Sequence, residues 1–412
     1  MKVSRKINQI SRRDMFRVAG QYGLSSTLLA AGGLGGTLSL AGLANAAEST
    51  YKKRFTKKAK HTLKFGASGF NQRNLLIERA GALFFAQDLE ERTDGEIRIE
   101  FIGDNQLCGQ LSCVKKTQQG ITDIYAASTQ NSAGGAPYLN VLDYAFVFPG
   151  RASQYHFLYS PESQKILREP LEKRHGLKFL FSHCELRGLQ LGLKWQDKPT
   201  VNKLETLFGT KNRVTGTQLG RIAMQLLNLN PVPIAWEETL DGLKQGLIDG
   251  AETWASAVAY ANMSPVVSQS NDLRFFCGTE HTSMSAKVFD RLSPELQDAV
   301  MESAYTAQVH VQAANEAALV KTVGFSEPQL PNTLFVKHNV RPSFLPDSEI
   351  RMAEEMCSPE FQPKPWEQWR RRLNKWAGGL DTYKELHRVA REVPADMLPE
   401  NVEPRRWWKS AG

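Results

Sequence analysis

The chain has 412 residues, of which 51 are Lys or Arg and 43 are Asp or Glu, for a formal charge of +8 and an apolar fraction of 41%. That balance excludes a disordered or fibrous chain and leaves room for two to three globular units, or for two lobes threaded from one chain. Five scattered cysteines (Cys108, Cys113, Cys184, Cys277, Cys357) exclude a small disulfide scaffold and a zinc ribbon.

Residues 1–46 hold six basic residues and one acid, followed by an uncharged Ala/Gly/Leu stretch from Val18 to Ala47, the order of an export signal. Arg12-Arg13 follows Ser11 and precedes Met15-Phe16, which resembles the twin-arginine consensus, and Ala44-Asn45-Ala46 offers small residues for cleavage. A twin-arginine (Tat) signal peptide over 1–46 is the expectation. The alternative is an uncleaved anchor, since the run could cross roughly 30 Å of hydrocarbon, but its Gly, Ser and Thr lower its hydrophobicity. Gly33-Leu34-Gly35-Gly36 imitates a nucleotide-binding fingerprint without a preceding strand and with Leu38 in the third glycine's place. Residues 47–61 form a basic linker with six cations and one acid, so 62–412 keep 39 basic and 41 acidic residues. The excess charge belongs to leader and linker, and no nucleic-acid partner is expected.

Beyond the linker, short apolar runs alternate with amphipathic stretches. Strands are expected at Thr62–Gly66 and Ile97–Phe101, flanking a helix over Leu75–Arg92. A helix over Gln110–Gln119 and a strand over Thr122–Ala126 repeat the unit. A second region places strands near Lys178–Ser182, Gln190–Leu193, Ile248–Glu252 and Arg274–Phe276, and helices over Gln218–Asn228 and Glu237–Gln245. This alternation implies an α/β fold with mostly parallel sheets. From Ser293 as N-cap to Val323 an uninterrupted helical pattern reaches about 45 Å, long enough to span two lobes. After Pro359 a helix pair and a Trp- and Arg-rich tail are expected to cap the second lobe.

Signatures of the commonest metalloproteases, serine hydrolases and P-loop proteins are missing from the sequence. Ser112-Cys113-Val114-Lys115 matches SxxK without the partner segments that acylating enzymes carry. An exported redox enzyme would need clustered Cys or His ligands, and His183-Cys184 is not at ligand spacing. The chain is therefore not expected to be an enzyme. Cys108 and Cys113 stand five residues apart, which permits a disulfide without requiring one.

The segment Gly209–Tyr260 is the most informative. Arg213 stands at a strand-like turn just before a helix that Thr215 or Thr217 would cap, where its planar fork could take a carboxylate or form a surface ion pair with a nearby Glu. Arg213, the run Pro231-Val232-Pro233-Ile234-Ala235-Trp236-Glu237-Glu238, and Gly246-Leu247-Ile248-Asp249-Gly250-Ala251-Glu252 stand in the order found in one known family. Together they resemble the DctP-type solute-binding proteins of tripartite ATP-independent periplasmic (TRAP) transporters. Arg92-Thr93-Asp94-Gly95, Asn105-Gln106-Leu107, Gln119 to Asp123, Val141 to Phe148, His281 and Leu292-Ser293-Pro294-Glu295 extend the resemblance over roughly 61–390.

The resemblance implies a two-lobe periplasmic binding protein of type II-like form, with hinge strands and a long lobe-spanning helix. Lobe I is expected from 62–186 and 274–322, lobe II from 187–273 and 323–395, and a tail from 396–412. It makes Arg213 the carboxylate anchor, Lys194 a second cation without a fork, and Trp236 an aromatic wall. Glu252, Thr253 and Trp254 fall where members hold ligand hydroxyls or a ligand-bridging cation, with Thr253 inserted between Glu and Trp. Asn71, Ser128 and Gln130 are neutral contacts from the first lobe, alongside Thr129 and Asn131. No cofactor is expected beyond that cation, for which Glu252 is the candidate ligand. The implied partners are a small organic anion and the small and large TRAP membrane subunits, in the periplasm; presentation of the ligand to a sensor is the alternative role.

Overall fold

The computed structural model describes residues 55–69 and 81–409; the expected signal peptide, most of the linker and Asn71 lie outside them. The strands are β1 (His61–Ala67), β2 (Ile97–Ile102), β3 (Ile124–Ser128), β4 (Leu177–Ser182), β5 (Glu185–Gly192), β6 (Lys211–Val214), β7 (Asn230–Pro233), β8 (Gly250–Thr253), β9 (Val267–Gly278), β10 (Glu280–Ser285) and β11 (Arg341–Phe344). They form a five-stranded sheet in the order β2-β1-β3-β10-β4 and a six-stranded sheet in the order β11-β9-β5-β8-β6-β7.

Local sequence explains the first sheet. In β1, Leu63 and Phe65 are buried while Thr62 and Lys64 face solvent, the period-two pattern of a strand with one covered face. β1 pairs in parallel with both β2 and β3, and the helix Ala82–Arg92 connects β1 to β2 as a crossover. β10 then enters antiparallel between β3 and β4. In the second sheet β6, β7 and β8 run parallel to one another, while β5 is antiparallel to both β8 and β9.

The chain passes directly from strand to strand between sheets twice, at residues 183–184 and at residue 279; a third passage, from β10 to β11, runs through residues 286–340. The two direct passes are tied together: the His183 N–H donates to the Glu280 carbonyl (3.3 Å), and the Glu280 N–H donates to His183 Nδ1 (3.2 Å). Lobe boundaries expected at 186/187 and 273/274 are thereby corrected by a few residues, because β5 and β9 stay paired as far as Glu185 and Gly278. Their ladder is broken twice, between Leu191 and Gly192 and, with the larger excess on β9, between Arg187 and Leu189. Arg187 opposes Phe276 while Leu189 opposes Asn271, so β9 carries extra residues, among them Arg274 at φ 58°. Gly188 sits at this irregularity, where an added Cβ would lie 1.8 Å from the Asn271 carbonyl oxygen.

The long helix runs Pro294–Ala318 and continues as a wider turn over Leu319–Val323, stopped by Gly324 at φ 88°. Ser293 caps it by accepting the Leu296 N–H, as its sequence position predicts. Its first part packs in a large core with Leu177 and Phe181 of the first sheet; Leu319 and Val323 join a smaller core with Trp236, Trp254 and Tyr260. The helix thus bridges both lobes. Among the described residues, no helix is long and apolar enough to cross a membrane.

The C-terminal region departs from expectation. Pro363–Trp376 and Thr382–Ala390 form the helix pair, but Thr382–Ala390 packs on the helix Arg151–Tyr159, and Arg391 donates to the Val147 carbonyl (3.0 Å). The tail binds the long helix through Arg406 and Glu302 (2.9 Å). Aromatic surface decides this: Tyr144 meets Tyr383 and Trp366, and Arg168 stacks 4.3 Å from the Trp407 ring centre. The tail is therefore set on the first lobe, while the helix Pro363–Trp376 also packs on the second-lobe helix Gln218–Leu226.

Candidate functional site

β6 brings Arg213 into the cleft, with Val232 of β7 on one side and Ala251 of β8 on the other. Its side chain is only 1% exposed. Nε donates to the Ile234 carbonyl (3.1 Å), whereas Nη1 and Nη2 are buried without a hydrogen-bond partner among the described residues. The guanidinium carbon lies 5.2 Å from the Trp236 ring centre, and Trp236 leans on Tyr260 at 6.2 Å. Burial, with the repulsion of Arg187, lowers the Arg213 pKa to about 10, and Glu252, Tyr260 and Glu237 partly offset this. Arg213 remains a cation at neutral pH, and its two nitrogens without a partner among the described residues have the fork geometry that can receive an anion.

Arg187 is the second arginine of the site. It lies on β5, 1% exposed, and its guanidinium engages both carboxylate oxygens of Glu252: Nε donates to Oε1, and Nη2 to Oε2 at 3.2 Å. Trp254 stacks on it with the guanidinium carbon 4.6 Å from the ring centre. Nη1 of Arg187 and Nε1 of Trp254 have no hydrogen-bond partner among the described residues. Sequence reasoning missed Arg187 because the strand was expected to begin at Gln190. The available signal was an Arg beside Gly188 within Leu186–Leu191, an apolar stretch that pays to bury a cation only if something meets it.

Lys194 does not join the site. Gly192 ends β5, and Lys194 turns outward with its side chain 56% exposed, held by Asp249 (3.1 Å) and the Gly246 carbonyl (3.1 Å). Thr253 is buried, and its carbonyl accepts the Gln190 amide (3.3 Å). Glu252 was the candidate for a bridging cation, but a guanidinium already occupies both its oxygens, which fits a cation poorly. Among the described residues, no group of three or more His, Cys, Asp or Glu is placed to hold a metal.

The opposing wall comes from the end of β3. Ser128 caps the short turn after it by accepting the Asn131 N–H (3.2 Å), and its own N–H donates to Gln110 Oε1 (2.8 Å). Gln110 also receives the Asn131 amide and donates to Glu280 (3.3 Å). A Cys108–Cys113 disulfide closes the loop that carries Gln110. Gln130 donates to Asp143 (3.2 Å) and accepts the Thr215 hydroxyl (3.0 Å), while the Thr217 hydroxyl donates to Asn140 (3.0 Å). These two threonine bonds join the lobes beside Arg213. Burial raises the Asp143 pKa to about 7 despite the opposing influence of Thr217, Arg187 and Gln130.

A family model for bacterial extracellular solute-binding proteins of family 7, DctP, matches residues 68–323. The 2,3-diketo-L-gulonate-binding periplasmic protein YiaO of Escherichia coli is 28% identical over 229 residues, covering 53% of this chain and 65% of that protein. Among solved structures, the sugar acid binding protein DctPAm of Advenella mimigardefordensis, in complex with galactonate, superposes with a TM-score of 0.65 at 19% identity. The match covers 82% of this chain and 99% of that one. A TRAP periplasmic solute-binding protein of Sulfurospirillum deleyianum with bound succinate gives a TM-score of 0.61 at 20% identity, covering 81% and 100%.

Proposed function

Since the chain belongs to the bacterial extracellular solute-binding proteins of family 7, we propose that its cleft captures a small organic carboxylate and delivers it to TRAP membrane subunits. The observation that carries this reading is Arg213, a buried cation with two nitrogens that have no partner among the described residues, set between two lobes. A carboxylate would receive two parallel charge-assisted bonds there, and the Trp236 face would cover its apolar part. Such a protein makes and breaks no bond; binding shifts the lobes toward the closed arrangement, in which the threonine bonds form.

The Cys108–Cys113 disulfide supports an oxidising compartment, as the periplasm is, and the Arg12-Arg13 leader supports export by the twin-arginine route. Relatives bearing galactonate and succinate support an acid as cargo. The test is a melting-temperature screen of the mature protein against an organic-acid library. A ligand at 100 times its dissociation constant stabilises by about 2.7 kcal/mol, which moves the melting temperature by several degrees. A library in which neutral sugars stabilise and acids do not would reject the reading.

A further inference from the structure

The charges around the cleft do not balance in a way that suits every organic acid. On the second-lobe side there are two buried guanidinium groups, but one of them, Arg187, is already neutralised by Glu252 through both carboxylate oxygens. Of these two guanidinium groups, Arg213 is the one without a carboxylate partner among the described residues. Across the cleft, Gln110, Ser128 and Gln130 present amides and a hydroxyl, and the charged groups bonded into that wall are acids. Asp143 takes the Gln130 amide, and Glu280 takes the Gln110 amide. Asp143 also feels the fields of both Arg187 and Glu252, so these groups share one buried electrostatic environment.

A ligand with one carboxylate closes this balance at Arg213. A second carboxylate on the same ligand would have to be stripped of water beside Glu252 and the first-lobe acids, or displace Glu252 from Arg187 and leave that acid buried and unpaired. Hydroxyl groups meet no such penalty, because Arg187 Nη1 and Trp254 Nε1 still have donor capacity and the amide wall can both donate and accept.

We infer that the cleft selects monocarboxylates with a neutral polar body and discriminates against dicarboxylates; this rests on the carboxylate-binding reading above. The distinguishing experiment is calorimetry at pH 7.5 with four ligands of one carbon skeleton, galactose, galactonate, galacturonate and galactarate, together with pantoate and succinate. The expected result is binding of at least one monocarboxylate, with galactarate and succinate at least about 100-fold weaker, the factor that an uncompensated buried charge commands. Galactarate or succinate binding as tightly as the monocarboxylates would overturn the charge argument while leaving the carboxylate reading intact. Galactose binding as tightly as the acids, or none of the acids binding, would overturn that reading itself.

Glu252→Gln supplies an independent arm. It frees Arg187, so the preference for one carboxylate over two should shrink by at least about tenfold. A folded variant with an unchanged preference would overturn the assignment of Glu252 as its source. If that variant fails to fold, the ratio measured on the native protein decides alone.

Discussion

At the scale of single residues, the distinction that matters is between a charge and a fork. Arg213 holds its own Nε on the Ile234 carbonyl and keeps two nitrogens for something else. Arg213→Lys retains the charge but has neither the second parallel donor nor the planar face above Trp236. We predict that this variant folds with a melting temperature close to the parent's and loses about 2 kcal/mol of ligand affinity, roughly 30-fold, by calorimetry. An affinity within a factor of two of the parent would remove the fork from the account.

Asp143 gives a second prediction at this scale. Burial raises its pKa from the usual carboxyl range to about 7, so between about pH 4 and pH 7 the folded protein keeps a proton that the unfolded chain releases. Stability from this group therefore falls as pH rises through that window, and the loss persists above it. Asp143→Asn removes the penalty, so its stability relative to the parent should grow between pH 4 and pH 8, by an amount on the order of 4 kcal/mol. Half-buried His175 and buried His281, whose pKa values desolvation lowers to about 4 and about 3, pull in the opposite direction in both proteins and cancel in the difference. Urea titrations at several pH values read that difference, and a flat one would exclude Asp143 as its source.

Secondary-structure elements show what was legible in the sequence and what was not. The alternation of β1, Ala82–Arg92 and β2 was readable because one face of each is apolar at its natural period, and Ser293-Pro294 announced the long helix through its cap. β9 was readable only over three of its twelve residues. Its polar half, Ser268 to Asp272, is buried by pairing with neighbouring strands and by side-chain bonds such as Gln269 to the Trp195 carbonyl (3.0 Å), which no hydrophobic period records. Arg187 went unseen and Lys194 was misplaced for a related reason. Whether a cation on a strand faces inward depends on a partner from another strand, here Glu252, more than sixty residues away. We predict that Gly188→Ala destabilises the protein by more than about 3 kcal/mol or prevents folding, since its methyl would overlap the Asn271 carbonyl on the facing strand. A melt within about 1 kcal/mol of the parent would mean that the β5–β9 pair relaxes freely.

For the whole molecule, the two-lobe outline follows from the pattern of elements, whereas contacts between lobes could not be anticipated from periodicity. Thr215 and Thr217 read as helix-capping residues, and Thr217 does cap, accepting the Gly220 N–H. Both also reach residues that follow β3, and these bonds help to hold the cleft shut. Thr215→Val deletes one of them at constant side-chain shape. About 1 kcal/mol is lost from the closed arrangement, which lowers ligand affinity about fivefold and enlarges the ligand-free radius of gyration seen by X-ray scattering. Unchanged scattering together with unchanged affinity would show that this bond does not bear on closure.

The strand order of the first sheet also dictates when the protein can be finished during its synthesis. β10, which fills the place between β3 and β4, is made only after the entire second sheet except β11 has left the ribosome. Until Glu280–Ser285 emerges, β3 and β4 are two unsatisfied edges waiting for the same partner, each a template for pairing with another chain. The last-made strand of the first sheet is thus its keystone, and a chain interrupted before residue 280 would be an adhesive fragment rather than a smaller domain.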